Sequence, residues 1–377
     1  MSLGGDPLVS WLAEVYLLAT AILAAAGVAV VVLRQPARRL VVARSTLMAL
    51  LLLAPLAAGA RWARSPREGR LAPSVPSSAS LPAVAVNRWP GGCCPSPPQP
   101  IKAVVPPPIA PTPRFATAAF GPLLERNGIR LAFVVGSGVT VAWLGLGAIA
   151  SARLRARTFA APERLRAMLA RIVGEARRPP RLVICAQVAH PVAIGLFRPT
   201  IVLPAWFAET EPEGRIEAAL THEWAHIQNG DLWLLASSRL LLPLLFAHPL
   251  YTWLRRRVRA DQEAMADASA AAVEGRIAYA EALLCWARPR GVREARTFAP
   301  SLGLWEHSST LTGRIALLLD REFRVEPPPP RPWRLGVGVA TAAVILGLGA
   351  ALLSSPAPAP AIPDSTHSDA GNLTCSG

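Results

Sequence analysis

Charge is scarce in this chain: only 17% of its 377 residues are Asp, Glu, Lys or Arg, while 52% are apolar. Soluble proteins carry about a quarter charged residues, so the deficit, with a mean hydropathy of +0.35, argues for a membrane protein. Acidic residues are the scarcer kind, 24 against 39 Lys and Arg, for a net charge of +15. In a soluble protein that excess would suggest nucleic-acid binding. The chain, however, has no interleaving of aromatic with basic residues and no recognisable nucleic-acid module. No nucleic-acid partner is expected. The arginines sit beside apolar runs, which reads as positive-inside topology with membrane lipids as partners. Basic residues are also missing ahead of the first apolar run, residues 10–33, while Asp6 precedes it, so this run is a poor signal peptide and a good membrane span.

Arg34, Arg38, Arg39 and Arg44 follow the first span and are expected in the cytoplasm, leaving the N-terminus outside. Residues 40–60 form a second expected span within a membrane part at 1–60. Residues 61–129 then turn to Pro, Ser and Ala, with pieces such as PSPPQP, and are expected as an extended external loop. A third span at 130–151 leads into an Arg-rich stretch that opens a cytoplasmic domain at 152–332. A fourth span at 333–354 delivers an external tail at 355–377. Both termini are then outside. Cysteine is sparse, five in all. Cys93, Cys94 and Cys375 share the oxidising side, either with one disulfide and a thiol over or with three free thiols. Cys185 and Cys285 read as reduced core residues.

Histidine is rarer still than lysine and arginine, six in all, yet two of them stand four apart in THEWAHIQNGD, residues 221–231. The Ala, Leu and Glu content just upstream favours helix, so His222 and His226 lie on one face and can grip one metal ion. Zn2+ suits two neutral imidazoles. Glu223 between them can serve as general base toward an activated water. Two ligands leave a zinc site incomplete, and RADQEAMAD, residues 259–267, offers Glu263 as the third, with Asp267 four residues on as the carboxylate that orients a ligating imidazole. Farther along, His307 and Arg314 are the candidate oxyanion stabilisers.

Around the helix, Leu165, Leu169 and Ile172 have helical spacing. The pieces RLVICA, PVAIGL and PTIVLP predict a small antiparallel sheet, with residues 200–203 as a candidate cleft wall. The apolar segment 232–254 is long enough to cross a membrane. One crossing would put His222 and Glu263 on opposite sides, so a membrane-embedded hairpin breaking at Arg239, Pro243 or His248-Pro249 is expected.

FRPTIVLP, HEWAHIQNGDLW, LLFAHPLYTWLRRRVRADQEAMAD and STLTGRIALLL, in this order and spacing, resemble the BlaR/MecR-type membrane metallopeptidases. The HExxH and later ExxxD are also similar to those of the HtpX and CAAX-prenyl-protease group, but FRPTIVLP and FAHPLYTWLRRR favour the first. The resemblance implies a multipass α-helical membrane protein with a cytoplasmic, mainly-α (α+β) gluzincin-type domain. It also implies His222, His226 and Glu263 as zinc ligands, Glu223 as base and Asp267 as the carboxylate behind a ligand. In antibiotic-sensing members a penicillin-binding domain follows the last span, whereas residues 355–377 follow it here, so beta-lactam sensing is not expected. The expected activity is zinc endopeptidase cleavage of a protein or peptide substrate at the cytoplasmic face, in signal transduction or regulated proteolysis. A cytoplasmic regulator and a sensor protein docking outside are the expected partners. The alternatives are a quality-control peptidase of the second group and a non-proteolytic signalling scaffold with a structural metal site.

Overall fold

The computed structural model describes residues 7–64, 121–175, 179–287, 308–320 and 324–354. The chain divides into one unit of residues 1–64 and 130–377 and a second of residues 65–129. Of the second unit, the first turns of a helix at 121–129 are described. The expected Pro-rich loop lies almost entirely outside the described residues, as do His307, Cys93, Cys94, Cys375 and the 355–377 tail.

Helix α1 (Pro7–Val32) is joined by a three-residue turn to α2 (Pro36–Arg64), where proline at the first helical position needs no hydrogen-bond partner for its nitrogen. Small and branched residues let the two pack closely, with Val15, Ala19 and Leu23 buried in one cluster with Ala43, Leu47 and Leu50. Helix α3 spans Gly121–Ala156. Among the described residues three helices are long and apolar enough to cross a membrane: α1 over Leu8–Val32, α2 over Pro36–Gly59 and α3 over Gly128–Ala156.

The strands are β1 (Phe159–Ala160), β2 (Arg181–Cys185), β3 (Val192–Ile194) and β4 (Thr200–Pro204), with α4 (Glu163–Val173) between the first two. Helix α4 buries Leu165, Met168, Leu169 and Val173, close to the expected stripe. The sheet order is β1-β2-β4-β3. β1–β2 and β3–β4 are antiparallel, but β2 and β4 run parallel, so the sheet is mixed rather than antiparallel. The connection 186–191 carries the chain past one strand position, and the β3–β4 hairpin then brings β4 back into the gap. Gly195 makes that hairpin at φ 89°, where a Cβ would meet the Arg198 carbonyl at 2.6 Å. The central place of β4 corrects the cleft assignment: with neighbours on both sides, residues 200–203 have no free edge, and the edge strand beside β4 is β3, with β1 at the other edge.

Beyond the sheet come α5 (Ala205–Thr210), α6 (Glu213–Gln228), α7 (Asp231–Leu240), α8 (Leu242–Leu245), α9 (Pro249–Glu274), α10 (Arg276–Trp286), α11 (Ser308–Leu319) and α12 (Arg331–Ser354). Residues 232–254 are therefore divided among three helices. The breaks fall at Leu241, before Pro243, and at His248, whose ring accepts the Tyr251 N–H before Pro249 starts α9. This reversal returns α9 alongside α6. Two cores result. One joins α4, the sheet, α6, α10 and α11 around Leu165, Ile201, Phe207, Ile216 and Tyr279. The other joins α1 and α2 to α7, α8 and α9 through Leu234, Leu245, Tyr251 and Leu254. Helix α3 meets α8: Ser137 Oγ donates to the Pro243 carbonyl at 2.7 Å, and Gly136 leaves room for the Phe246 ring.

Candidate metal centre

Helix α6 sets His222 and His226 one turn apart, both pointing toward α9. Their Nε2 atoms are 3.2 Å apart. Glu263 on α9 brings Oε2 to 3.5 Å from His222 Nε2 and Oε1 to 3.9 Å from His226 Nε2. One ligand atom from each residue lies within 4.8 Å of the others, so a single ion could be shared by all three. The chemistry of the set fits a divalent metal. Two imidazoles and a carboxylate converge in a largely buried site, and each imidazole is backed by a carboxylate on its other nitrogen.

Behind His222, Nδ1 lies 3.2 Å from Asp267 Oδ1 and 3.1 Å from the Tyr279 hydroxyl, which itself donates to Asp267 Oδ1 at 3.1 Å. Behind His226, Nδ1 lies 2.9 Å from Asp231 Oδ2. An Nδ1–H pointed at a carboxylate leaves Nε2 as the metal-facing lone pair. Asp231 reaches this position because Gly230, at φ 69°, ends α6 and turns the chain back over it.

Arg314 on α11 closes the far side. Its Nε and Nη2 donate to Asp267 at 2.7 and 2.6 Å, and Nη1 lies 3.4 Å from Glu263 Oε2. The guanidinium thus faces the two carboxylates behind and beside the ligands. Burial pushes the His222 imidazole down, but hydrogen bonds to Asp267 and Glu263 outweigh it and hold the ring up to about 10. Burial likewise raises Glu263 and Asp267, and the His222 and Arg314 bonds outweigh that too, leaving both acids depressed. Burial, then the charge of Asp267, keeps the Tyr279 phenol well above its ordinary value.

Glu223 is buried at 7% exposure, and its Oε2 accepts the Ala193 N–H of β3 at 2.6 Å. The residue between the two histidines therefore lies against the sheet edge. Ala193, Asp231 and Tyr279 are the groups sequence reasoning missed. Asp231 was visible as the acid closing HIQNGD, whereas nothing local marked the tyrosine of α10 or the alanine of β3.

The model of the BlaR1 peptidase M56 family matches residues 115–318, more than half of the chain and including both helices that carry the candidate ligands. The chain belongs to this family. It is thus a BlaR1/MecR-type membrane metallopeptidase, and membership in M56 implies a bound metal, for which His222, His226 and Glu263 form the one candidate group among the described residues. Among curated proteins none matches the chain.

Proposed function

We propose that this M56 peptidase is a zinc-dependent endopeptidase that cuts a protein substrate at the cytoplasmic membrane surface, in regulated proteolysis. The observation that carries the reading is Glu223, held by the Ala193 N–H beside the His222, His226 and Glu263 cluster. A merely structural metal site has no use for an oriented base next to a strand edge.

His222, His226 and Glu263 would hold the ion, which when bound supplies Lewis acidity toward a water and the scissile carbonyl. Glu223 takes the proton from the attacking water and delivers it to the leaving amine, and its bond from Ala193 fixes the carboxylate for both transfers. A residue's N–H and C=O leave a strand on the same side. The Ala193 carbonyl therefore faces the same free edge and can accept a substrate N–H by strand addition. Asp267 and Asp231 keep the imidazoles in register, and Arg314 neutralises Asp267 and Glu263.

The contacts of the 232–254 segment support a membrane-embedded hairpin. The Tyr16 hydroxyl donates to the Leu244 carbonyl at 2.9 Å, and Thr20 Oγ1 lies 3.0 Å from His248 Nε2. Tyr16 is about 24 Å along α1 from its Val32 end, a large part of the roughly 30 Å hydrocarbon core. With the Arg-rich ends of the spans in the cytoplasm, the apex then reaches deep into the bilayer while the zinc cluster stays near its inner surface.

The test is cleavage of casein or a native substrate by purified protein. Activity should vanish with a chelator and return with zinc. Glu223→Gln should keep one zinc per chain and lose activity by about 10²–10⁴-fold, the usual worth of a general base. Full zinc with unchanged cleavage in Glu223→Gln would remove Glu223 from the mechanism. Zinc with no cleavage by wild type of any protein, native or model, would favour a scaffold.

A further inference from the structure

The helices that carry the candidate ligands are tied to α2 by two of its arginines. Arg44 lies more than two turns inside the α2 span, where a charge is costly unless paired and used. Its Nη2 donates to the Asn229 carbonyl at the end of α6 and lies 3.7 Å from Asp231 Oδ1. That oxygen is buried without a hydrogen bond, while the other oxygen of the same carboxylate holds His226 Nδ1. Arg39, five residues earlier, brings Nη1 to 3.2 Å from Asp261 Oδ1, on α9 two residues before Glu263. Asp261 is 4% exposed. Between the two arginine contacts, Gln262 Nε2 reaches the Asp231 carbonyl at 3.4 Å.

We propose that α2 is a clamp on the metal centre: Arg44 and Arg39 hold the junction after α6 and the middle of α9 to one membrane helix, so the spacing of His226 and Glu263 follows the position of α2. Arg44 is a positioning residue that acts through Asp231. This gives a shift of α2 a direct physical route to the site, because sliding its arginines away loosens Asp231 and lets the His226 ring turn. The inference rests on the metal-site reading above and adds the element that regulates it.

The experiment uses the full chain in lipid nanodiscs, stripped with a chelator. Affinity for Zn2+ is measured by competition with a chromophoric chelator, and site geometry by the visible absorption of the Co2+ form. Arg44→Gln should weaken affinity about 10-fold or more and alter the cobalt bands, as loss of support behind a ligand does. In an Asp231→Asn background the same change should cost no more than about twofold, because the carboxylate it acts through is already gone. Arg39→Gln, acting on α9, should instead add to Asp231→Asn. If Arg44→Gln is not recovered folded, Arg44→Lys carries the test. The ammonium sits on a stem of different reach and lacks the planar fork of the guanidinium, so affinity should fall about threefold or more. Wild-type affinity and cobalt spectrum in either Arg44 variant would overturn the clamp, as would an undiminished Arg44→Gln loss in the Asp231→Asn background. Absence of metal binding by the wild type would instead sink the metal-site reading itself.

Discussion

The two imidazoles of the cluster are supported from different parts of the molecule. His222 is backed by Asp267, Tyr279 and Arg314, from α9, α10 and α11, with the Asp267 side chain 3% and the Arg314 side chain 11% exposed. Among the described residues His226 is backed by Asp231, and the cation beyond it is Arg44 of α2, 41% exposed. One imidazole is therefore fixed by the packed interior of the peptidase fold and the other from α2, a helix long and apolar enough to cross a membrane. The first arrangement resists change, and the second can pass on movement of its support.

The largest effect should separate the two cations. Arg314→Leu strips the buried Asp267 carboxylate of its bidentate cation and should destabilise the protein by about 3–5 kcal/mol, read as a large fall in thermal midpoint. Arg44→Gln removes a half-exposed cation and should cost less than about 1 kcal/mol of stability while still weakening metal binding. Equal falls in midpoint would break the comparison.

Next come the two carboxylates. Asp267→Asn and Asp231→Asn should each weaken zinc about 10- to 100-fold. Only Asp267→Asn should also destabilise the metal-free protein, since it strips Arg314 of its bidentate partner. A metal-free Asp231→Asn that unfolds as early as Asp267→Asn would show that both sides are structural.

Tyr279→Phe should be milder. It removes one hydroxyl shared by His222 and Asp267 while Arg314 still holds the acid, so a loss of about 1 kcal/mol is expected in denaturation of the metal-free protein.

How much of this was legible in the sequence follows from what each signal depends on. His222, Glu223 and His226 were readable because helical spacing alone puts the two histidines on one face, and Glu263 and Asp267 because a second helix repeats that spacing. The reversal between them was readable because Pro243 and Pro249 cannot continue a helix unbroken. Strand direction was not, since a short apolar run says nothing about where the chain re-enters a sheet. The run TIVLP did hold a hint: Ile201, Val202 and Leu203 are apolar without alternation, the pattern of an inner strand covered on both faces, and all three are fully buried. Tyr279, Ala193 and Arg44 reach the site only through tertiary packing. A lone tyrosine, an alanine amide or an arginine near the start of an apolar helix carries no local mark of that use.

The last effect expected is in the pH dependence of the metal-free protein. His222 is held up to about 10 in the fold, against an ordinary 6.5, because its bonds to Asp267 and Glu263 outweigh burial. A group raised in this way contributes stability that is fully present below about 6.5 and disappears as pH rises through about 10. Glu263 and Asp267 are depressed, so their contribution is present above the ordinary carboxylate range and is lost on acidification. The thermal midpoint measured in chelator should therefore be highest near pH 6 and decline toward pH 10. In saturating zinc the alkaline decline should vanish, because a ligating imidazole has already given up its proton. Asp267→Asn should flatten the decline by removing the leading bond that raises His222, whereas Asp231→Asn, which does not touch that ring, should leave it in place. The same slope in both variants would mean that the proton is not held at His222.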